Sequence, residues 1–138
     1  MQILKEKSRA KSQITFDEDF NVPDAKPDAG RLIQNKGRII MDDVRLTDGK
    51  GILTGNLQVD ILYVGEERGI VSSLTAKLPF EETLNLKNII NGDKMCLKWE
   101  IEDLTIRLIH SRKLNIKALV TFCATVDETE QIRLPVAL

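Results

Sequence analysis

Residues suited to nucleophilic catalysis are few in this sequence, which contains a single histidine, His110. A hydrolytic triad would need this histidine beside a nucleophile such as Ser111 or Cys123, with a carboxylate to orient the imidazole. Ser111 follows His110 directly, and adjacent residues of a strand point to opposite faces. The pattern therefore favours a turn histidine whose ring lies in water or against a backbone carbonyl, and we predict no catalytic residue around it.

The densest carboxylate cluster is formed by Glu100, Glu102 and Asp103. Glu100 and Glu102 share one face of a predicted strand, so a small hydrolase that uses them as acid and base is one hypothesis. They lie opposite the side of Trp99, where solvent-facing charges are expected in any case. Cross-strand ion pairs with nearby basic residues are the favoured interpretation, and the protein is predicted not to be an enzyme.

No metal or cofactor site is predicted. Two cysteines and one histidine do not supply the four ligands of a structural zinc. The acidic runs Asp42-Asp43 and Asp17-Glu18-Asp19 lack the alternating oxygen ligands of a calcium loop, and no helix follows the glycines at 49–55 to cradle a phosphate. Tyr63 and Trp99 would stack on a sugar ring if exposed, but both lie on the apolar parity of their strands, which favours core packing.

The whole-chain numbers favour one domain with balanced charge. The 138 residues include 20 basic and 21 acidic residues, for a formal net charge of -1, which gives no reason to expect nucleic acid as a partner. No apolar run reaches the ~20 residues of a membrane span and the first residues show no secretory signal, so we predict no membrane insertion. We expect a cytoplasmic protein in which Cys96 and Cys123 are reduced thiols.

The elements that must position these side chains are strands, and the stretch 95–126 shows them best. Its apolar residues alternate on one parity up to Ile101 and on the other from Leu104, and such a one-residue shift requires a bulge or a bend. Residues 110–113 form a polar corner, after which the alternation resumes. A similar shift of parity crosses Asp42-Asp43.

Turn signals separate the remaining strands. Asp48-Gly49 predicts a tight hairpin, residues 65–69 predict a second turn, and residues 53–63 between them form the clearest half-buried strand. Asp28 can cap a short helical turn. Short separate strands are also expected at residues 12–16 and 83–86.

These patterns predict an all-β fold, an antiparallel β-sandwich of about seven to eight strands with one short helical turn near residues 28–34. The predicted organisation has three parts. Residues 1–21 form an N-terminal arm or edge strand, residues 22–126 form the β-sandwich domain, and residues 127–138 form an acidic tail or the start of a linker.

Four segments occur in a defined order: VPDAKPD at residues 22–28, the strand from residue 55 that ends in ILYV, LPF at 78–80, and IHSRKLN at 109–115. Together they resemble the SPOCS domain of spore-coat-associated proteins in endospore-forming Firmicutes, and the resemblance extends over residues 22–126. In that family the domain is often repeated and is commonly followed by a LysM peptidoglycan-binding domain.

The resemblance implies a non-enzymatic adaptor or structural component of the spore coat. Such a protein is made in the mother-cell cytoplasm and recruited to the forespore surface. Its implied partners are spore-coat morphogenetic proteins, among them the ATPase that coats the forespore. The family brings no catalytic residues to this sequence.

The residues themselves favour partner binding through an exposed strand edge or a polar sheet face, including the pairing of edge strands into a homo-oligomer. Arg107, Arg112 and Lys113 are the predicted charged contact surface. Reversing the charges of Arg112 and Lys113 is expected to weaken partner capture with little change in melting temperature. The alternative function is a carbohydrate-binding module that takes peptidoglycan or cortex glycan through an exposed aromatic residue.

Overall fold

The computed structural model describes residues 2–86 and 94–131, and every regular element within these ranges is a β-strand. The strands are β1 (Gln2–Asn21), β2 (Ala29–Thr47), β3 (Lys50–Gly65), β4 (Val71–Asn85), β5 (Lys94–His110) and β6 (Lys113–Gln131). Within the same ranges there is no helix with the length and apolarity to cross a membrane.

The strands form two antiparallel three-stranded sheets. Sheet A has the order β1-β6-β5, and sheet B has the order β2-β3-β4. The central strand β3, and β6 over residues 113–127, alternate strictly between buried and more exposed side chains, which is the pattern of a strand with one face in the core and the other toward solvent. The fold is therefore all-β, as predicted.

Two details of the predicted fold are wrong. The described ranges contain six long strands rather than seven to eight, because the separate strand predicted at residues 83–86 is the end of β4. The short strand predicted at residues 12–16 is part of the 20-residue β1. The predicted helical turn near residues 28–34 is the beginning of β2, which carries register shifts between Ala29 and Arg31 and between Leu32 and Gln34. These bulges break the two-residue alternation and leave apolar residues at a spacing that resembles one turn of helix.

The predicted turns and shifts of parity are confirmed. Asp48 and Gly49 join β2 to β3 with φ angles of 41° and 77°, the two positive values that a type I′ hairpin needs. A register shift lies between Met41 and Asp43 in β2, and another lies between Ile101 and Asp103 in β5.

The buried faces of both sheets share one hydrophobic core. Phe80 of β4 packs against both outer and central strands of sheet A. The centre of its ring lies 6.1 Å from the ring centre of Phe16 in β1 and 5.3 Å from that of Phe122 in β6. Such edge-on and tilted aromatic pairs add a favourable contact to the burial of their area. The most deeply buried large side chains come mainly from the central strands: Leu53, Leu57, Val59, Ile61 and Tyr63 of β3, and Leu114, Ile116, Val120, Phe122 and Val126 of β6.

Glycines allow close approach at two points of β2 and β3. A Cβ atom at Gly37 of β2 would lie 2.8 Å from the side chain of Leu104 in β5, where the two sheets meet. A Cβ atom at Gly55 of β3 would collide with the backbone carbonyl of Ile40 beside the bulge in β2. Real Cβ atoms do not approach so closely, so a side chain at Gly55 would force the paired strands apart.

Candidate functional site

The structure separates the residues considered for a hydrolytic triad. His110 ends β5 and is exposed, and its Nδ1 atom accepts a hydrogen bond of 3.1 Å from the backbone N–H of Arg112. The turn position was predicted, although the partner is a backbone N–H rather than a carbonyl. Cys123 lies ten residues along β6 from Lys113, the residue paired with His110, and ten residues of strand extend about 33 Å.

The carboxylate cluster lies on an open surface together with an exposed tryptophan. Glu100, Glu102 and Trp99 border a shallow depression whose other lining residues are Lys11, Lys98, Thr121 and Cys123. The expectation that Trp99 packs in the core is wrong, because its side chain is 42% exposed, whereas Tyr63 is fully buried. Trp99 lies opposite the buried Phe122, but β5 is the outer strand of sheet A, so its inward side chains are covered on one side only.

Among the side chains that the structure describes, that of Arg112, in the turn between β5 and β6, makes the most hydrogen bonds. Its Nη1 atom donates to the carbonyl of Lys26 at 2.7 Å and to the carboxylate of Asp28 at 3.0 Å. Its Nη2 atom donates to the carbonyls of Val22 at 3.1 Å and of Pro23 at 2.8 Å. A guanidinium is the one side chain that presents several fixed donors in this way. Arg112 therefore holds the connector 22–28 against the β5–β6 turn.

Backbone hydrogen bonds fasten the same connector at both of its ends. Val22 donates to the carbonyl of Arg112, and Ala29 donates to that of Ser111, each at 2.8 Å. The hydroxyl of Tyr63 donates to the carbonyl of Pro27 at 2.9 Å, so the tyrosine predicted for the core also anchors the loop. The connector, which joins β1 of sheet A to β2 of sheet B, is therefore hydrogen-bonded to the β5–β6 turn at both of its ends.

The other two predicted contact residues have different surroundings. Lys113 lies 3.5 Å from the carboxylate of Asp19 in β1. Arg107 is exposed on β5 and makes no hydrogen bond or ion pair within the described ranges. The three predicted residues thus lie near one end of sheet A. Arg112 is engaged by the connector and Lys113 by a carboxylate. Of these three, Arg107 alone has no polar partner among the described residues.

A small polar network surrounds Asp19. The side-chain amide of Asn115 donates to Asp17 and to Asp19, each at 3.0 Å. The hydrogen bond from Asn115, together with the charge and hydrogen bond of Lys113, holds the pKa of Asp19 below its ordinary value, because each of these contacts favours the ionised carboxylate. Among the described residues, no group of histidine, cysteine and acidic side chains is arranged to hold a metal ion.

Both cysteines are free and lie on adjacent strands of sheet A. Cys96 is exposed and pairs across the ladder with Thr125, and Cys123 is partly exposed and pairs with Lys98. They are therefore diagonal neighbours on one sheet face rather than a directly opposed pair.

The sequence reasoning missed the outer face of sheet B. There Lys36 and Arg38 of β2 and Lys77 of β4 are exposed on either side of the central strand β3. None of them makes a hydrogen bond or ion pair with another described residue. Their proximity follows from the register of β2, β3 and β4. Because the bulges in β2 shift its pairing with β3, the alternation of apolar and polar residues does not predict that register.

The fold and its surfaces define an all-β protein of two antiparallel sheets whose polar faces are open and whose connector is fixed by one arginine. A family model described as SipL, SPOCS domain, matches residues 28–109, more than half of the chain, so the chain belongs to the SPOCS domain family. Membership of this family suggests a role related to sporulation. No curated protein and no solved structure matches the chain.

Proposed function

We propose that this protein is a non-enzymatic interaction module of the bacterial spore coat or of its assembly machinery. Membership of the SPOCS domain family carries the proposal. The open geometry supports it, since the depression that Glu100 and Glu102 border is shallow and both side chains face solvent. A two-layer β-sandwich with rigid faces is a scaffold that serves docking well, because flat sheet faces and strand edges present fixed arrays of side chains.

The proposed partners are spore-coat morphogenetic proteins, foremost the ATPase that coats the forespore. The proposed location is the mother-cell cytoplasm, with recruitment to the forespore surface. The test is titration calorimetry of the purified chain against the purified ATPase, with a fluorescent fusion imaged in sporulating cells that carry or lack the ATPase gene. Saturable binding and an ATPase-dependent ring of fluorescence around the forespore are expected. Absence of binding together with diffuse fluorescence in both strains would refute the proposal.

Homo-oligomer formation through edge strands is the second part of the proposal, and the registers favour β1 as the pairing edge. The edges β2 and β5 carry bulges, and β4 carries Pro79, which lacks a backbone donor. β1 pairs with β6 without interruption from Ser8 to Asn21. Light scattering after size exclusion should therefore show a concentration-dependent dimer, which a Gln13→Pro substitution in β1 should abolish.

The exposed Trp99 is the one observation that favours the alternative function, carbohydrate binding. An indole that is 42% exposed beside Lys98 and Glu100 offers a stacking surface with polar neighbours. Sedimentation with purified peptidoglycan tests this alternative. If the wild-type chain sediments with peptidoglycan and Trp99→Ala does not, carbohydrate binding is supported. If the wild-type chain does not sediment with peptidoglycan, the carbohydrate-binding alternative is refuted.

A further inference from the structure

The outer face of sheet B combines unpaired positive charge with exposed apolar side chains. Register and burial place the following residues on this face: Arg31, Gln34, Lys36 and Arg38 of β2; Gln58, Asp60, Leu62 and Val64 of β3; and Val71, Ser73, Thr75 and Lys77 of β4. We call this set the basic face.

The cations of the basic face lie within reach of one ligand. Arg38, Gln58 and Lys77 form a single row across the three strands, because Gln58 pairs with both of the others. Strands lie about 4.8 Å apart, so Arg38 and Lys77 leave the sheet about 10 Å from each other. Lys36 lies two residues along β2 on the same side.

The acidic residue in the middle of this face does not neutralise them. Asp60 lies opposite Lys36 and Thr75, but its carboxylate accepts a hydrogen bond of 2.8 Å from the hydroxyl of Thr75 and makes no ion pair with Lys36 within the described ranges. Lys36, Arg38 and Lys77 are therefore left without protein partners among the described residues, although Asp60 lies in the middle of the face.

An apolar strip borders these cations. Val64 and Val71 lie directly opposite each other across β3 and β4, Val71 is 55% exposed, and the neighbouring Ile70 is 57% exposed. Leu62 is half-buried between them and Lys36, beside a shallow depression of about 200 Å³ lined by Gln34, Asn35, Lys36, Asp60, Ile61, Leu62 and Ser73. Apolar anchors flanked by charges are typical of protein–protein contact surfaces.

We propose that the basic face docks an acidic segment of a partner protein, which places carboxylates against Lys36, Arg38 and Lys77 and an apolar side chain in the depression beside Leu62. This inference rests on the proposed docking function and adds the chemistry of the partner. Charge complementarity carries it. A nucleic acid fits less well, because the face carries Asp60 and no aromatic residue to stack on a base.

The test uses the full chain and labelled probes of stated composition: a 12-residue peptide of alternating Glu and Leu, polyglutamate, double-stranded DNA, and vesicles of anionic phospholipid. The variant is Lys36→Glu/Arg38→Glu/Lys77→Glu. The matched control, Lys98→Glu/Arg107→Glu/Lys117→Glu, makes the same change of charge on exposed residues of sheet A. Thermal unfolding of both variants checks that they are folded.

We expect the Glu-Leu peptide to bind the wild-type chain and the sheet A variant alike, and to bind the sheet B variant about tenfold more weakly. Val71→Ser should weaken binding of the Glu-Leu peptide and leave binding of polyglutamate unchanged. Equal loss in both triple variants, tighter binding of DNA or vesicles than of the peptide, or no binding of the peptide would overturn the inference.

Measurements with the coat ATPase separate this inference from the function on which it rests. If the wild-type chain binds the ATPase and both triple variants bind it equally well, the proposed docking function is supported, and the proposal that the basic face is the binding surface is refuted. If the wild-type chain does not bind the ATPase but the Glu-Leu peptide still binds the sheet B variant more weakly than the sheet A variant, the binding of acidic segments by the basic face is supported. The ATPase is then refuted as the partner.

Discussion

At the scale of single residues, the side chain of Arg112 has the greatest structural effect. Four oxygen atoms from Val22, Pro23, Lys26 and Asp28 surround two nitrogens of its guanidinium. Its side chain is still 31% exposed, so water screens part of its charge. The planar fork of an arginine suits this task, whereas a lysine ammonium offers a single point charge and cannot reach four acceptors in these directions.

Replacement of Arg112 by alanine should therefore destabilise the protein. Hydrogen bonds to a charged donor contribute more than neutral ones, and the loss of several that share one side chain should lower the free energy of unfolding by about 2–4 kcal/mol. Arg107→Ala is the matched control, with an expected change within about 0.5 kcal/mol, because Arg107 makes no polar contact within the described ranges. Urea unfolding followed by circular dichroism measures both values.

This expectation differs from the one that the sequence gives for charge reversal at Arg112 and Lys113, namely weaker partner capture without a loss of stability. If Arg112→Ala unfolds at the same urea concentration as Arg107→Ala, the contacts of Arg112 with the connector are not important for stability. The predicted role of Arg112 as a partner-contact residue would then be supported.

Asp19 offers a second test at this scale, through its pKa. Because the amide of Asn115 and the ammonium of Lys113 favour its ionised form, Asn115→Ala should raise the pKa of Asp19 toward the ordinary value of about 3.9. A group whose pKa is lower in the folded state stabilises the fold above its unfolded pKa, and this contribution is lost as the pH falls through the folded pKa. The stability advantage of the wild type over Asn115→Ala should therefore shrink below pH ~4.

Carbon-detected NMR of the Asp19 carboxyl during an acid titration measures this pKa directly. A pKa that is the same in the wild type and in Asn115→Ala would show that the hydrogen bond at 3.0 Å does not persist in solution.

At the scale of the elements, the sequence predicts strands well and their ends poorly. Alternation identifies β3 and β6, and the residue types at Asp48-Gly49 identify the hairpin, since both signals are local. Bulges defeat alternation, and the outer strands β2 and β5 contain them. The misassigned helical turn lies on such bulges, and the basic face could not be derived, because it depends on the register of three strands.

Trp99 shows why parity alone does not settle burial. It alternates with the apolar residues of β5, but an inward side chain on an outer strand is covered only where the opposite sheet reaches it. Trp99→Ala should therefore cost about 1–2 kcal/mol. Phe122→Ala, which truncates its fully buried cross-strand partner, should cost about 3–5 kcal/mol.

Chemical denaturation of the two variants measures this difference. Comparable losses of stability would mean that the indole of Trp99 is buried in solution, and the carbohydrate-binding alternative would lose the exposed aromatic on which it rests.

At the scale of the whole molecule, the matched family segment is smaller than the folded unit. Residues 28–109 include β2, β3, β4 and all of β5 except its last residue, but omit β1 and β6. β6 is the central strand of sheet A and pairs with both β1 and β5. The residues outside the matched segment supply Phe16, Val22, Leu114, Ile116, Ala118, Val120, Phe122, Ala124 and Val126 to the core.

A fragment of residues 28–109 should therefore not fold by itself. Sheet B would keep its three strands, but its apolar face would lose the surface of β6 and β1 that covers it, and β5 would have no hydrogen-bonded neighbour. An uncovered three-stranded sheet of this kind is marginal in water. We expect little β-sheet ellipticity, no cooperative melting transition and poor dispersion of the amide proton signals in the NMR spectrum.

A fragment of residues 9–127 is the matched control, because it retains every residue of the described core while trimming the ends of β1 and β6. It should fold cooperatively, with a melting temperature below that of the full chain, since it loses the pairing of Gln2 to Glu6 with Asp127 to Gln131. A cooperative transition in the 28–109 fragment would contradict this view of the fold. In that case the four strands of the family segment would form a complete domain, and β1 and β6 would be additions to it. If instead only the longer fragment folds, a docking surface on sheet B depends on sheet A for its rigidity, and binding studies must use the longer chain.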